Sequence, residues 1–469
     1  MPGQYKKYLK ATGLYTVGNI FYKAMSLLLL PIFTRLLSTS SYGIVSTYNS
    51  WVTILTIVIG MQLYLTLRSA CTDYKKDLHS YISTLDSITL IAAMVMMGIA
   101  FFGEHFITIP FQKSLVFLCI IHALFSSVIN VELQRQMMSL EYVKRTLLLA
   151  LPGLIAAVIG ILVIVNYPQT DYMGRIVSNV AVISLVGLCI LICHYKKGKS
   201  FFKKSHCSYG LVLSTPLIFH GLACEVLSSV DRTMITYFRT SAETGVYSVA
   251  YTMGMAIKVV TSSAESVWIP WFTSKINEKK KDEINKVAKY YLFLITILCV
   301  VAMLCLPEFL KLFAEESYWS GLYIIPPIVL ASFIVFLYSL SVDVEYYYKA
   351  TKGLAVNTFI AAGMNLVLNF IFIPKFGAIA AAFTTVVSYT ISFLIHYLKA
   401  KKLDVHLFPL KIYIVPIIIA IIGTILAYLT MDLIVLRWGI AITALLMSLL
   451  FVVKNDFLVA FKLYRKKRT

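Results

Sequence analysis

The sequence predicts an all-α, polytopic membrane helical bundle of about fourteen transmembrane helices, with two pseudo-symmetric six-helix lobes and a C-terminal helix pair. Three observations support this fold class. Hydrophobic residues make up 59% of the 469-residue chain and charged residues only 14%, whereas a soluble domain carries roughly 25% charged residues. Apolar stretches of about 20 residues, which can span a bilayer as helices, recur along the chain. Basic residues concentrate on one side of these stretches.

Each predicted span is an apolar stretch long enough to cross the hydrocarbon core. The first one follows a basic segment, as in a secretory signal peptide. It is longer than such peptides and has no small-x-small cleavage motif before Arg35, so we predict that it is retained. The predicted spans cover residues 11–36, 43–67, 80–103, 115–134, 146–166, 172–194, 209–238, 244–270, 288–312, 322–346, 354–373, 377–398, 409–429 and 433–453.

The distribution of Lys and Arg predicts how the spans are oriented. With the N-terminus inside, 32 of the 42 Lys and Arg residues fall in segments predicted to be cytoplasmic, and 6 fall in the opposite loops. This asymmetry follows the positive-inside rule, so we expect both termini on the cytoplasmic side of the membrane. It also accounts for the net charge of +20 without a nucleic-acid partner.

A short internal repeat divides the chain. Tyr42-Gly-Ile-Val-Ser46 follows the first predicted span, and Thr244-Gly-Val-Tyr-Ser248 follows the seventh, 202 residues later. Both halves would start on the cytoplasmic side, as in parallel repeats related by an axis along the membrane normal. We therefore predict an N-lobe at 1–195, a cytoplasmic linker at 196–208, a C-lobe at 209–400, a helix pair at 401–453 and a basic cytoplasmic tail at 454–469.

Polar faces on apolar spans contain the candidate functional residues. Charges near the bilayer centre are costly, so they usually face a cavity or a partner. The first two spans of each half carry such faces, with helical spacing of the polar residues. In chain order these faces contain Asn19 and Lys23, then Asn49, then Glu225 and Arg232 with Asp231 beside them, and finally Lys258 and Glu265.

We interpret these faces as the lining of a water-filled, anion-receptive cavity between two halves. Lys23 and Lys258 lie near the middle of their spans. Together with Arg232, and with the amides of Asn19 and Asn49 alongside, they would attract a phosphate or pyrophosphate.

A second interpretation makes the central lysines partners of Glu225 or Glu265 in structural intramembrane ion pairs. For Arg232 the alternative is an interfacial pair with Asp231, since both lie toward the outer end of their span. If transport is coupled to an ion or a proton, a titratable group facing the cavity is needed. Glu225 is the first candidate for that role, followed by Glu265 and Asp231. The cysteines show no paired CxxC spacing, so we expect no metal site and no cofactor.

Three stretches resemble bacterial polysaccharide-transporter flippases. They occur in the same order and in the same spans, and together they extend over nearly the whole chain. The resemblance is to the Wzx-type O-antigen and capsule repeat-unit flippases of the polysaccharide transporter family, in the multidrug/oligosaccharidyl-lipid/polysaccharide exporter superfamily. The stretches are Leu28-Leu-Leu-Pro31-Ile-Phe-Thr-Arg35, Ser228-Ser-Val-Asp231-Arg232 with Thr244-Gly-Val-Tyr-Ser-Val-Ala-Tyr251, and Asn365-Leu-Val-Leu-Asn369 with Ile373-Pro-Lys-Phe-Gly377.

This resemblance implies a transporter of the bacterial inner membrane rather than an enzyme. The implied substrate is an undecaprenyl-pyrophosphate-linked oligosaccharide repeat unit, moved from the cytoplasmic to the periplasmic leaflet by alternating access. Membrane lipid, a polysaccharide polymerase and a chain-length regulator are the implied partners. Relatives that flip peptidoglycan precursor use cations in the first, second and eighth spans. Lys23 and Lys258 fit the first and eighth spans, whereas the second span here has Asn49 and no central cation.

Three other functions stay open. A drug or cation antiporter of the same superfamily would favour central carboxylates without central lysines, and usually twelve spans. A flippase for a peptidoglycan-precursor lipid is disfavoured by the missing cation in the second span. A membrane glycosyltransferase or polymerase is expected to have a sizeable extramembrane loop, and no predicted loop exceeds about twenty residues.

Overall fold

The computed structural model describes Met25 and residues 27–102, 113–350 and 352–454. These residues form helices without any strand, so the predicted all-α fold class is confirmed. Short 3₁₀ segments precede three of the helices. The α-helices are α1 (Leu27–Leu36), α2 (Thr39–Gly60), α3 (Leu67–Asp73), α4 (Leu78–Phe102), α5 (Lys113–Met138), α6 (Tyr142–Asn166), α7 (Asp171–Gly198), α8 (Lys204–Phe238), α9 (Ser241–Gly254), α10 (Ile257–Asn277), α11 (Lys281–Phe313), α12 (Ile325–Tyr347), α13 (Lys352–Phe376), α14 (Ala378–Leu403), α15 (Lys411–Leu429) and α16 (Ile434–Lys454).

Within the described part of the chain, eleven helices are long and apolar enough to cross a membrane. Each of them overlaps one of the predicted spans, and the chain is therefore a polytopic membrane protein. The first predicted span, 11–36, and the predicted tail, 454–469, lie mostly outside the described residues.

The predicted eighth span, 244–270, is interrupted rather than continuous. α9 ends at Gly254, and α10 begins only after a tightened turn in which the Lys258 N–H donates to the Met255 carbonyl at 3.0 Å. This is an i→i+3 bond of the 3₁₀ type, which often marks a functional hinge inside a helix. The absence of a side chain at Gly254 allows close packing here, because a Cβ would lie 2.7 Å from Cγ2 of Ile328 on α12.

The described helices pack as two compact units, Met1–Gly245 and Val246–Thr469. In the first unit α5 packs against α2, α4 and α7, and α8 packs against α2 and α4. Because α8 is the predicted seventh span, the first packing unit extends past the predicted linker at 196–208. The lobe boundaries that the repeat suggests stay a prediction.

Gly43 and Gly245, the matching glycines of the internal repeat, contact each other within the first unit. A Cβ at Gly43 would lie 2.8 Å from the backbone N of Gly245 and would collide with the carbonyl oxygen of Ser241. A Cβ at Gly245 would collide with the carbonyl oxygen of Thr39. The first turns of α2 and α9 can approach this closely only because both positions lack a side chain.

The second unit includes the C-terminal helix pair. α12 packs against α11 and α14, while α15 and α16 both pack against α11. A buried ion pair joins Arg437 of α16 to Glu308 of α11. Removing one partner of such a buried pair is costly, so this contact attaches α16 firmly to the unit.

Candidate transport site

Two of the predicted cavity residues, Asn19 and Lys23, lie outside the described residues. Asn49 lies on α2, where its side chain is exposed and its carbonyl accepts a 3.0 Å hydrogen bond from Oγ1 of Thr53. Placing an amide in hydrocarbon without hydrogen-bond partners costs free energy. We therefore expect the exposed side chain of Asn49 to face water or polar groups rather than lipid.

The charged part of α8 lies within the first unit. Glu225 and Arg232 are two turns apart on this helix and within electrostatic range of each other. Both are partly buried, and Nη1 of Arg232 donates to the Ser228 carbonyl at 3.2 Å. Asp231 is only 1% exposed. Tyr42, at the start of α2, lies within electrostatic range of Arg232.

Threonine side chains hold this part of α8 against α2. The Oγ1 atom of Thr236 lies 2.7 Å from Oγ1 of Thr47 on α2 and 2.7 Å from Oγ1 of Thr244. Thr47 and Thr244 are fully buried. Hydroxyl bonds of this kind are a common way to join helices inside a membrane, and here they orient the helix that carries Arg232.

Lys258 and Glu265 lie on α10 in the second unit. Lys258 is partly buried in the first turn of α10, directly after the interruption of the eighth span. Glu265 is two turns further along, within electrostatic range of Asp343 on α12. Asp343 accepts a 3.0 Å hydrogen bond from Nε1 of Trp268. Interrupted spans with polar residues at the break are typical of substrate sites in transporters.

Arg232 and Lys258 belong to different compact units. The convergence of both side chains on one cavity stays a prediction.

Sequence reasoning missed a buried cluster in the first unit, the Asp86 cluster (Asp86, Glu132, Arg135 and His194). Nδ1 of His194 on α7 lies 2.6 Å from Oδ2 of Asp86 on α4, and Nε2 lies 3.1 Å from Oε2 of Glu132 on α5. Glu132 also accepts hydrogen bonds from Nε and Nη2 of Arg135, both at 2.7 Å. The side chain of Asp86 is completely buried.

A second cluster, the Glu345 cluster (Glu345, Asn357, His396 and Lys399), lies in the second unit. Nδ1 of His396 on α14 lies 2.6 Å from Oε1 of Glu345 on α12 and 3.2 Å from Nδ2 of Asn357. Nζ of Lys399 lies 2.8 Å from Oε2 of Glu345. His194 and His396 are 202 positions apart, the same offset as Gly43 and Gly245. That offset is a sequence signal for the two histidines alone, since the carboxylates of the two clusters do not match at it.

The family model described as "Polysaccharide biosynthesis protein" matches residues 8–276, more than half of the chain. The chain belongs to this polysaccharide biosynthesis family. "Lsg locus putative protein 1" of Haemophilus influenzae (strain ATCC 51907 / DSM 11121 / KW20 / Rd) is 24% identical over 359 residues, which cover 72% of this chain and 83% of that protein.

Two solved structures share the fold of this family member. "Lipid II flippase MurJ, inward closed conformation" matches with a TM-score of 0.65 at 17% identity, covering 95% of this chain and 99% of that one. "Inward-facing conformation of a multidrug resistance MATE family transporter of the MOP superfamily" matches with a TM-score of 0.56 at 14% identity, covering 81% and 95%. The chain is therefore a multi-pass membrane protein of the polysaccharide biosynthesis family and has the fold of these two structures.

Proposed function

We propose that this family member is a flippase for undecaprenyl-pyrophosphate-linked oligosaccharide repeat units. It moves them from the cytoplasmic to the periplasmic leaflet of the bacterial inner membrane by alternating access. It acts beside a polysaccharide polymerase and a chain-length regulator, which use the flipped repeat units. Both termini lie in the cytoplasm, as the distribution of Lys and Arg predicts.

The single observation that carries this proposal is Lys258 at the interruption of the eighth span. A lysine near the middle of the combined segment Ser241–Asn277 is costly in hydrocarbon and needs an anion or water around it. The tightened turn just before it breaks the regular i→i+4 ladder, as in the discontinuous helices of transporter binding sites. A drug or cation antiporter has no need of a central lysine.

The chemistry of the substrate fits a cationic site. A pyrophosphate joined to sugars is charged and strongly hydrated, so it cannot cross hydrocarbon without a polar path. Charge-assisted hydrogen bonds to phosphate are among the strongest that side chains make, and Lys binds phosphate as a point charge. Lys23, Lys258 and Arg232 are the proposed cations, and Asn19 and Asn49 the proposed neutral contacts to the sugar-phosphate headgroup.

The proposed coupling groups are Glu225, with Glu265 and Asp231 as further candidates. Glu225 is partly buried two turns from Arg232, so gain or loss of its charge would change the field at the proposed anion site. Glu225→Gln should then abolish transport driven by a pH gradient while leaving the protein level unchanged. Full transport by this variant would remove Glu225 from the coupling role.

The test of the proposed function is Lys258→Gln, which removes the charge but keeps much of the side-chain length. Proteoliposomes containing the protein and a fluorescent undecaprenyl-pyrophosphate oligosaccharide report flipping when an added glycosidase reaches the headgroup. We expect the initial rate to fall about tenfold or more, the cost of one charged hydrogen bond. Lys258→Arg, which retains the charge, should keep a measurable part of the rate.

Lys275→Gln is the matched control, since it lies on the same helix but pairs with Glu283 at 3.1 Å and with Glu278 at 3.4 Å near the helix end. It should flip at close to the wild-type rate. Equal rates for Lys258→Gln and Lys275→Gln would contradict the cationic site. Lys23→Gln should behave like Lys258→Gln.

The second candidate is a peptidoglycan-precursor lipid, favoured by the TM-score of 0.65 to a lipid II flippase. Both substrates contain a polyprenyl pyrophosphate and differ in the sugar and peptide part. Expression in cells depleted of their own lipid II flippase separates them. Restored growth would support the precursor lipid, whereas loss of surface polysaccharide in a deletion strain with normal growth would support the repeat unit.

A further inference from the structure

The Asp86 cluster contains more hydrogen bonds than a neutral histidine can supply. Both ring nitrogens of His194 lie at hydrogen-bonding distance from carboxylate oxygens, at 2.6 and 3.1 Å. An ionised carboxylate only accepts, and a neutral imidazole has one N–H and one bare nitrogen. One of the two contacts therefore has no hydrogen unless the cluster binds an additional proton.

We propose that Asp86, His194 and Glu132 form a proton-binding site in the first compact unit, occupied as an imidazolium that joins α4, α5 and α7. Nδ1–H donates to Asp86 and Nε2–H donates to Glu132. The proton resides on the imidazole because an ordinary histidine binds a proton more tightly than an ordinary carboxylate does.

With this proton in place, the imidazolium lies between the negative charges of Asp86 and Glu132, and Arg135 adds a positive charge beside Glu132. The histidine and aspartate side chains are 5% and 0% exposed, so an unbalanced charge would be costly. Within the described part of the chain, the second oxygen of Asp86, Oδ1, has no hydrogen-bond partner, which leaves His194 as the principal stabilising contact of Asp86 there.

Other charged groups face the site from each neighbouring element. Glu141, between α5 and α6, lies 2.8 Å from Nη1 of Arg135. His79 on α4 lies within electrostatic range of His194 and of Lys197 on α7. The cations at this end stabilise the carboxylates but cannot donate to Asp86 in place of His194, since they are not in contact with it.

Loss of the proton has a defined structural consequence. A neutral His194 donates to one carboxylate only, and the other then faces a bare nitrogen in a buried environment. The contact of α7 with α4 or with α5 weakens, while the backbone hydrogen bonds within each helix stay intact. The contacts of α4 and α5 with α7 thereby become sensitive to pH at the end predicted to be cytoplasmic. This holds for any substrate, so it does not depend on the proposed function.

Nuclear magnetic resonance of the ring nitrogens tests the site directly. The full-length protein, labelled with ¹⁵N-histidine in lipid nanodiscs, is examined at about pH 8, where an exposed histidine is largely neutral. We expect an imidazolium signal that disappears in His194→Gln and persists in His396→Gln, the matched control in the second unit. A wild-type spectrum with eight neutral histidines would overturn the proposal. An imidazolium signal with the same intensity in His194→Gln as in the wild type would also overturn it.

A second variant and a second readout separate proton binding from a merely structural role. Asp86→Asn keeps the shape of the side chain but removes its charge, so the imidazolium signal of His194 should fade at a lower pH than in the wild type. The unfolding temperature of the wild type should fall as pH rises and the proton leaves, and that slope should be smaller in Asp86→Asn. An unchanged titration in Asp86→Asn would also overturn the proposal.

Discussion

The Asp86 cluster and the Glu345 cluster each hold a histidine against a buried carboxylate but have different charged neighbours. His194 and His396 are 202 positions apart, and each lies 2.6 Å from a completely buried carboxylate oxygen. In the first unit His194 lies between two carboxylates. In the second unit the single carboxylate of Glu345 has a lysine as well, with Nζ of Lys399 at 2.8 Å.

The difference lies in whether the buried carboxylate also contacts a permanent cation. Glu345 has Lys399 at 2.8 Å as well as His396 at 2.6 Å, so it contacts a permanent cation directly. Among the described residues, Asp86 forms an ion-pair contact with His194 and with no Lys or Arg, while Glu132 pairs with Arg135 as well. We therefore expect the first unit to depend more strongly on its histidine than the second, and four substitutions with their controls test that expectation.

The largest effect should come from His194→Ala measured at about pH 6. Without the imidazolium, the buried Asp86 and the partly buried Glu132 lose their shared donor, and the free energy of unfolding should fall by about 3–5 kcal/mol. His396→Ala should cost about 1–2 kcal/mol, because Glu345 keeps its lysine. Denaturant unfolding of both variants in the same lipid environment gives the comparison. Equal losses would mean that the two clusters do not differ in the way proposed.

A smaller effect should follow from Lys399→Met. Glu345 then loses the ion pair with Nζ of Lys399 at 2.8 Å and keeps its contact with His396 at 2.6 Å. We expect a loss of about 2 kcal/mol in the free energy of unfolding. Lys402→Met, at an exposed position on the same helix, is the control and should leave the free energy of unfolding unchanged. Equal stability of Lys399→Met and Lys402→Met would contradict this account of the charge balance.

Glu141→Gln should lower stability by about 1 kcal/mol without changing how stability depends on pH. Hydrogen bonds from Arg135 and Lys144 lower the pKa of Glu141 to about 2. A carboxyl with a lowered pKa stabilises the fold above its ordinary pKa, and this contribution is lost only as pH falls through the lowered value. Between about pH 6 and 9 Glu141 stays ionised, so wild type and variant should differ by a constant amount. A changed slope in that range would assign part of the pH dependence to Glu141 instead of His194.

Much of the fold could be predicted from the sequence, because hydrophobic length and the placement of Lys and Arg are properties of local segments. The interruption after Gly254 could not, since the helical spacing of polar residues continues through this part of the sequence without a break. The helical spacing of polar residues is enough to predict the polar faces that carry Lys258 and Arg232. The clusters were missed because Asp86 and His194 lie on different helices, and only packing brings them together.

The smallest effect should come from Asp77→Asn, which removes an ion pair at the surface of the first unit. Oδ2 of Asp77 lies 2.6 Å from Nζ of Lys203, but the two side chains are 44% and 42% exposed, so water and salt screen the pair. We expect a loss of at most about 1 kcal/mol at neutral pH. The hydrogen bond from Lys203 lowers the pKa of Asp77, so this contribution is present above the ordinary pKa of an aspartate and disappears as pH falls through the lowered value.

His206, whose Nε2 lies 3.3 Å from the same oxygen, is buried but has an exposed partner, unlike His194. Unfolding at low and high salt should therefore distinguish the two regions. The effect of Asp77→Asn should vanish at high salt and that of His194→Ala should remain, because burial and not proximity alone gives a charge pair its strength.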